Sequence, residues 1–387
     1  MGAELPRLVV FADDWGRHPS SAQHLVRELL PRWKVDWINT VGTRRPSLTI
    51  ADAKKVAAKL ASWMKPADEG GHAAPKLHPN LTVHSPAHWP GFGAGWERSL
   101  NARLFDRALR PLLERAEAVV ATAPIVADLA ARIPEANWIY YCVDDLAEWP
   151  GLDAEALRAL EQDFVPRAQR IVVVSEHLRA RLQAMGRASD VLTHGFDPAH
   201  WAGVAAAHAA RAAADAGHAR EQPVAVFWGA VDARLDVPIV LALAERCELR
   251  LVGPLADPDP RVASDPRIVR TGAVPYADLP RLAAEADVLV MPYADLPVTR
   301  AMQPLKLKEY LATGLPVVAT ALPANRAWAD AADLVDEPAA FATRVLERAA
   351  AALPAAQARA RERLAGETWA EKARQFESWI RRSDPPR

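Results

Sequence analysis

The chain has 387 residues, half of them apolar and a quarter charged, with a formal net charge of −1. That length exceeds what one hydrophobic core usually organises, so two domains of similar size are expected. The near-neutral balance excludes a general attraction to nucleic acid. No uninterrupted apolar run reaches the roughly 20 residues that span a bilayer.

The apolar run from Leu8 to Phe11 is too short, and too soon followed by acid, to be a secretory signal, and reads as a first core strand. Further β-branched runs at 35–39, 81–84, 119–122, 138–143 and 171–175 read as buried strands with amphipathic stretches between them. Within 99–115, Leu100, Leu104, Ala108 and Leu112 recur at steps of four, which predicts a helix covering a sheet with that face. Its arginines Arg98, Arg103, Arg107 and Arg110 would meet solvent or, alternatively, anionic headgroups at a membrane. The same rhythm returns at 224–228, 249–253, 268–271, 288–292, 316–320 and 333–336. The expected fold is therefore α/β, with two Rossmann-like doubly wound parallel sheets whose strand ends face one cleft.

The expected division is 1–195 for the first domain and 223–365 for the second, with the Ala- and His-rich stretch 196–222 as linker. In the segment 366–387, Trp369, Ala373, Phe376 and Ile380 have helical spacing and need an apolar surface, so a return to the first domain is expected. Two cysteines, Cys142 and Cys247, cannot build a disulfide framework and fit a reducing cytoplasm. Thirteen tryptophans are unusual; each reads first as core packing, with Trp15 the exception, as a ring for a sugar. His84 and His88 superficially have zinc spacing but no helix face and no further ligands, so no metal is expected.

The most informative run is Gln303-Pro-Leu-Lys-Leu-Lys-Glu-Tyr-Leu-Ala-Thr-Gly-Leu-Pro-Val-Val-Ala-Thr320, which reads as loop, Pro-started helix, Gly stop and strand. Pro304 and Leu305 open the helix, leaving backbone N–H groups and a positive dipole end for a diphosphate. Lys306 and Glu309 share a helix face, as an ordinary ion pair or as a cation for phosphate and a carboxylate for ribose hydroxyls. In the first half, Asp144 and Asp145 follow an apolar strand. Either suits removal of a proton from a hydroxyl, and Asp145 alternatively caps a helix beginning near Leu146.

The 303–320 run resembles the GT-B glycosyltransferases, specifically bacterial cell-surface polysaccharide enzymes akin to glycosyltransferase family 4, with their Pro-Leu-Lys-Leu-x-Glu-Tyr-Leu-Ala-x-Gly-x-Pro-Val-Val motif. Residues 227–236 are similar to the family's Gly-then-Arg phosphate loop, and 272–280 to its base-binding segment, which holds Val274 and Tyr276. The resemblance implies that Arg234 and Lys306 neutralise a donor diphosphate, that Gly229 allows close approach and that Glu309 holds ribose hydroxyls. It implies an acceptor-side loop bearing Trp15 and Arg17, whose Ser20 and Ser21 alternatively cap the next helix, and it places His194 at the hinge, grouped with the acceptor residues. One departure is Ala301, where many family members carry a glutamate that touches the transferred ring.

The resemblance implies a cytoplasmic hexosyltransferase, free or peripheral at the inner membrane face. Its donor is expected to be UDP- or GDP-linked and its acceptor a saccharide or lipid-linked sugar. No cofactor, essential metal or nucleic-acid partner is expected, and stereochemistry stays open between retaining and inverting. A sugar-nucleotide epimerase of the same fold and a noncatalytic nucleotide-sugar-binding subunit are the alternatives.

Overall fold

The computed structural model describes residues 4–16, 20–40, 77–149, 151–214 and 222–381. The chain forms two compact units, Met1–Leu192 together with Ala373–Arg387, and Thr193–Lys372.

The first unit is built on a parallel sheet of seven strands among the described residues: β1 (Arg7–Ala12), β2 (Lys34–Asn39), β3 (Leu81–His84), β4 (Ala118–Ala121), β5 (Trp138–Cys142), β6 (Arg170–Val173) and β7 (Asp190–Val191). Their order is β3-β2-β1-β4-β5-β6-β7. Val10 of β1 sits opposite Trp37 on one side and Val120 on the other. With helices on both faces, a central strand has no wet side, and so β4 and β5 are buried at every position. Two-residue β7 carries too little pattern to be read from sequence.

The second unit repeats this plan with β8 (Val224–Trp228), β9 (Glu248–Val252), β10 (Ile268–Gly272), β11 (Val288–Met291), β12 (Val317–Ala319) and β13 (Asp333–Leu334), in the order β10-β9-β8-β11-β12-β13. The chain winds outward from β8 through β9 to β10, then restarts beside β8 with β11. The β8 and β11 loops therefore diverge at their carboxyl ends and open a crevice there.

Three expectations change. The helix Gly95–Leu113 buries Ala102, Phe105, Leu109 and Leu113, not the Leu100, Leu104, Ala108 and Leu112 stripe. Two apolar stripes run along this helix, and the one with Phe105 offers the larger area to the core, its ring 6.3 Å from that of Phe11 on β1. Of the stretch 196–222, the described part 196–214 is no linker without structure, because Pro198–Trp201 and Val204–Ala214 are helices, and Trp201 and Val204 belong to the second unit's core. The first unit ends at Leu192, and so His194 lies in the second unit.

The helix Trp369–Ile380 buries Trp369, Ala373, Phe376 and Ile380. Its later part belongs to the first unit, where Phe376 packs 5.4 Å from Tyr141 and Glu377 accepts from Trp33 Nε1 at 3.0 Å. Trp33, Trp37, Trp138, Trp201, Trp228, Trp328 and Trp369 are buried, so seven of the thirteen tryptophans pack in the interior.

Candidate functional site

In the second unit, the helix Leu305–Ala312 starts after Pro304, whose carbonyl accepts from Leu307 N, and among the described residues no side chain caps it. The N–H groups of its first turn and its positive dipole end are thus left for a ligand. The side chain of Lys306, in that turn, reaches the crevice between β8 and β11. Its ammonium donates to Tyr293 Oη and lies 4.5 Å from the Phe227 ring centre and 5.0 Å from that of Tyr293.

Gly229, the first residue after β8, has φ +140°, and a Cβ there would stand 2.0 Å from Lys306 Nζ. The lysine head occupies the space a side chain would take. The next strand end packs as tightly, since a Cβ on Gly253 would lie 1.9 Å from the Gly229 oxygen. Gly229→Ala is therefore expected to destabilise the protein by ~1–3 kcal/mol through its backbone alone and to push Lys306 off Tyr293. Chemical denaturation with and without nucleotide would measure both effects.

Arg234 reaches the same crevice from the β8 loop. Asp232 holds it, with Nη2–Oδ2 at 2.7 Å and Nε–Oδ1 at 3.0 Å, and its guanidinium lies 5.7 Å from the Tyr293 ring centre. Tyr293 thus stands between two cations, Arg234 and Lys306, the pair expected to share a diphosphate.

One turn along the helix, Glu309 turns to different partners from Lys306. Tyr276 Oη donates to its Oε1 at 2.8 Å and Trp228 Nε1 to its Oε2 at 3.3 Å. Burial pushes its carboxyl up to about 7, against the pull of those donors and of Lys306. The Tyr276 ring stacks on His200 at 4.1 Å with 7° between planes, and Trp201 stacks on Trp228 at 5.2 Å and 9°. Val274 packs beside them against the core. An aromatic wall with one carboxylate thus adjoins a cationic pocket, built from the end of β8, the loops leaving β8, β10 and β11, and the helices Pro198–Trp201 and Leu305–Ala312.

The opposite side of that helix is anchored. Lys308 is buried and donates to Thr193 Oγ1 at 2.9 Å, to the His194 carbonyl and to Glu367, whose carboxylate also meets Lys372 at 2.8 Å. Burial lowers the Lys308 pKa to about 8 even though Glu367 opposes the change. His194 is itself buried, with its ring 6.2 Å from Trp369. Ala301 is buried too, in the short helix Pro297–Ala301.

In the first unit, Asp144 and Asp145 follow β5 and are half-buried. Asp145 occupies the position before the short turn Leu146–Glu148 but makes no side-chain cap; its Oδ2 lies 3.3 Å from Arg181 Nε. Arg181 is held in turn by Glu161, which accepts from Tyr140 Oη at 2.7 Å. Burial raises the Asp145 pKa, and Arg181 draws it back. The Trp15 backbone N–H donates to Asn39 at 3.0 Å, and its ring lies between Trp37, 4.8 Å away, and Arg27, 5.5 Å away. Ser20 is the cap of Ser21–Leu29 and also donates to Asp13 at 2.9 Å. Arg17 lies outside the described residues. His84 Nε2 lies 2.8 Å from Asp36 Oδ1. Among the described residues no group of three or more His, Cys, Asp or Glu side chains is placed to hold a metal ion.

The crevice thus joins Gly229, Arg234, Pro304, Leu305 and Lys306, and its neighbour joins Val274, Tyr276 and Glu309. Tyr293, Asp232, Trp228, His200 and Trp201 were not foreseen. For Tyr293 the sequence shows only a place just after the apolar run 288–292; that this strand lies beside β8 is known from the sheet order alone.

Two parallel-sheet units with this crevice define a protein of the GT-B fold. Residues 220–350 match the family model described as Glycosyl transferases group 1. Over 60 residues the chain is 40% identical to the "Putative teichuronic acid biosynthesis glycosyltransferase TuaH" of Bacillus subtilis, a match spanning 16% of this chain and 15% of that relative. Among solved structures, Anabaena Alr3699/HepE in complex with UDP and glucose aligns with a TM-score of 0.64 at 14% identity, covering 96% of this chain and 98% of that one. An E. coli structure described as trehalose-6-phosphate bound with UDP-2-fluoro glucose aligns with a TM-score of 0.65 at 13% identity, covering 98% and 100%. At such identities the structural likeness speaks for the fold.

Proposed function

We propose that the chain is a glycosyltransferase that moves a hexosyl unit from a UDP- or GDP-linked donor to a saccharide or lipid-linked acceptor in polysaccharide or glycoconjugate synthesis. The observation that carries this reading is the Lys306 ammonium at an uncapped helix start beside Gly229, with Glu309 one turn on beneath Trp228 and Tyr276. When a sugar leaves a nucleoside diphosphate, negative charge builds on the diphosphate. Lys306 and Arg234, fixed in advance around Tyr293, would stabilise that charge as it forms, with the first-turn N–H groups behind them. These cations do the work a metal would otherwise do, so the reading includes no essential metal.

Glu309 has room for ribose hydroxyls, because a carboxylate offers about four acceptor positions and Tyr276 and Trp228 use two. In an inverting reaction Asp144 takes the acceptor proton and Asp145, bound to Arg181, shapes its surroundings. Ala301 leaves the transferred ring without the carboxylate other members bring. The matched segment of TuaH supports the polysaccharide context, and the structural neighbours bound to UDP or a UDP-sugar favour a uridine donor.

Thermal unfolding with UDP, GDP, ADP, dTDP and CMP tests the reading. One nucleoside diphosphate should raise the midpoint, and no rise with any of them would remove the donor site. Release of nucleoside diphosphate from the matching nucleotide-sugar only when acceptor is present separates transfer from epimerisation. Asp144→Asn should lower that release with nucleotide stabilisation unchanged, and an unaltered rate takes Asp144 out of the chemistry.

A further inference from the structure

The loop that leaves β8, residues 229–236, is fastened to both neighbouring loops through its backbone. Towards β9, Val231 N donates to the Pro254 oxygen and Ala256 N to the Val231 oxygen, both at 2.9 Å. Towards β11, Ala294 N donates to the Arg234 oxygen at 2.8 Å and Asp236 N to the Pro292 oxygen at 2.9 Å. Leu235 also pairs with Tyr293 in a short antiparallel bridge. These links set the loop's course without the Asp232 carboxylate.

That carboxylate is turned onto Arg234. Its Oδ1 accepts from the Arg234 backbone N–H and from Nε, each at 3.0 Å, and its Oδ2 accepts from Nε at 3.1 Å and from Nη2 at 2.7 Å. Only 12% of the Arg234 side chain and 16% of the Asp232 side chain are exposed, so water screens the pair weakly. The guanidinium thus gives the Nε edge of its fork to a carboxylate, while Nη1 faces the weak acceptor Met302 Sδ at 3.6 Å. Lys306, the other cation of the crevice, is held by a neutral phenol, that of Tyr293. An arginine that served only to bind phosphate would gain nothing from a fixed anion two residues away, because that anion repels the same ligand.

We infer that Asp232 is a positioning residue that limits the crevice's affinity for diphosphate: it orients the Arg234 fork in the empty site and repels the bound diphosphate, so that the nucleoside diphosphate remaining after transfer leaves. The inference rests on the donor reading and deepens it, from which groups hold the diphosphate to what lets the product go. Two effects of the carboxylate oppose each other. As a holder it raises affinity by about threefold, the cost of ordering one arginine side chain. As a like charge it lowers affinity. A phosphate on the far edge of the guanidinium would stand roughly 8 Å from it, where repulsion of a dianion is about sixfold even at the dielectric of water and greater in a half-covered crevice. Repulsion is the larger effect. Asparagine removes the charge but keeps an Oδ1 for the Arg234 N–H and Nε, so most of the orientation survives the substitution.

The test is isothermal titration of the full chain with UDP and with GDP at low and at physiological salt, together with stopped-flow dissociation rates. Asp232→Asn should bind the matching diphosphate about tenfold more tightly at low salt, through slower dissociation, and the gain should shrink as salt screens the charge. Asp232→Ser, which keeps a hydroxyl for the Arg234 N–H, should tighten binding too and serves as the probe if the amide variant folds poorly. A clamp with only a structural role predicts the opposite sign, since a loosened Arg234 binds phosphate less well. Binding by the folded variant that is equal to the parent's or weaker overturns the inference and leaves the donor reading in place. A parent that binds neither UDP nor GDP removes the donor reading, and this inference with it.

Discussion

Lys306→Ala should abolish the thermal stabilisation given by the matching nucleoside diphosphate while leaving the fold nearly as stable as before. The side chain is half-buried; in the unliganded protein it contributes one hydrogen bond to Tyr293 and ring contacts with Phe227 and Tyr293, together worth ~1 kcal/mol. Against a diphosphate the same ammonium forms a charge-assisted contact of ~3 kcal/mol, or about a hundredfold in affinity. A ligand at a hundred times its Kd stabilises by ~2.7 kcal/mol; weaken it a hundredfold and the same concentration gives only ~0.4 kcal/mol. Lys306→Arg should not restore binding, because the space between the ammonium and the Gly229 backbone has no allowance for a planar guanidinium. Melting curves for the parent and both variants over a nucleotide titration decide the matter. A full shift in Lys306→Ala would mean that the diphosphate binds elsewhere.

How far this site could be read in advance depended on which interactions are local. Pro304, Lys306, Glu309 and Gly314 lie within one loop, helix and turn, so their relation was fixed by helical spacing and the two punctuating residues. Gly229 was legible for a similar reason, as a glycine ending an apolar strand. Tyr293 was not, because its meaning comes from β11 lying beside β8, a sheet-order fact that no spacing carries. Asp232 sits two residues from Arg234 and pairs with it, yet nothing in an Asp-Ala-Arg string distinguishes a clamp from two exposed charges. The helix Gly95–Leu113 shows the converse failure. Periodicity of four was correctly seen, but two stripes satisfied it, and only packing against Phe11 chose between them. The strands were read almost to the residue because β1, β5 and β8 are continuous apolar runs in sheets covered on both faces.

Glu309→Gln should change the pH dependence of both stability and nucleotide affinity. Burial holds the Glu309 carboxyl up to about 7, against 4.5 for an ordinary glutamate. Between those values the folded chain keeps a proton that the unfolded chain releases. The stability this residue contributes is therefore complete below about pH 4.5 and is lost as pH rises to about 7, by ~3 kcal/mol in all. Glutamine cannot ionise, so the variant's stability relative to the parent should climb by ~2–3 kcal/mol from pH 5 to 8 in denaturant titrations. A constant offset of ~1–3 kcal/mol will lie beneath that slope, because one of the donors Tyr276 and Trp228 then faces an amide N–H. The slope, not the offset, identifies Glu309. Ribose hydroxyls that donate to this carboxylate favour its ionised form, so nucleotide affinity in the parent should rise up to about tenfold per pH unit below 7 and level off above it. In Glu309→Gln the affinity should be weaker at pH 8, without that rise. A parent whose affinity is flat between pH 6 and 8, together with a variant that binds equally well, would show that the carboxylate supports Trp228 and Tyr276 and leaves the ribose to other groups.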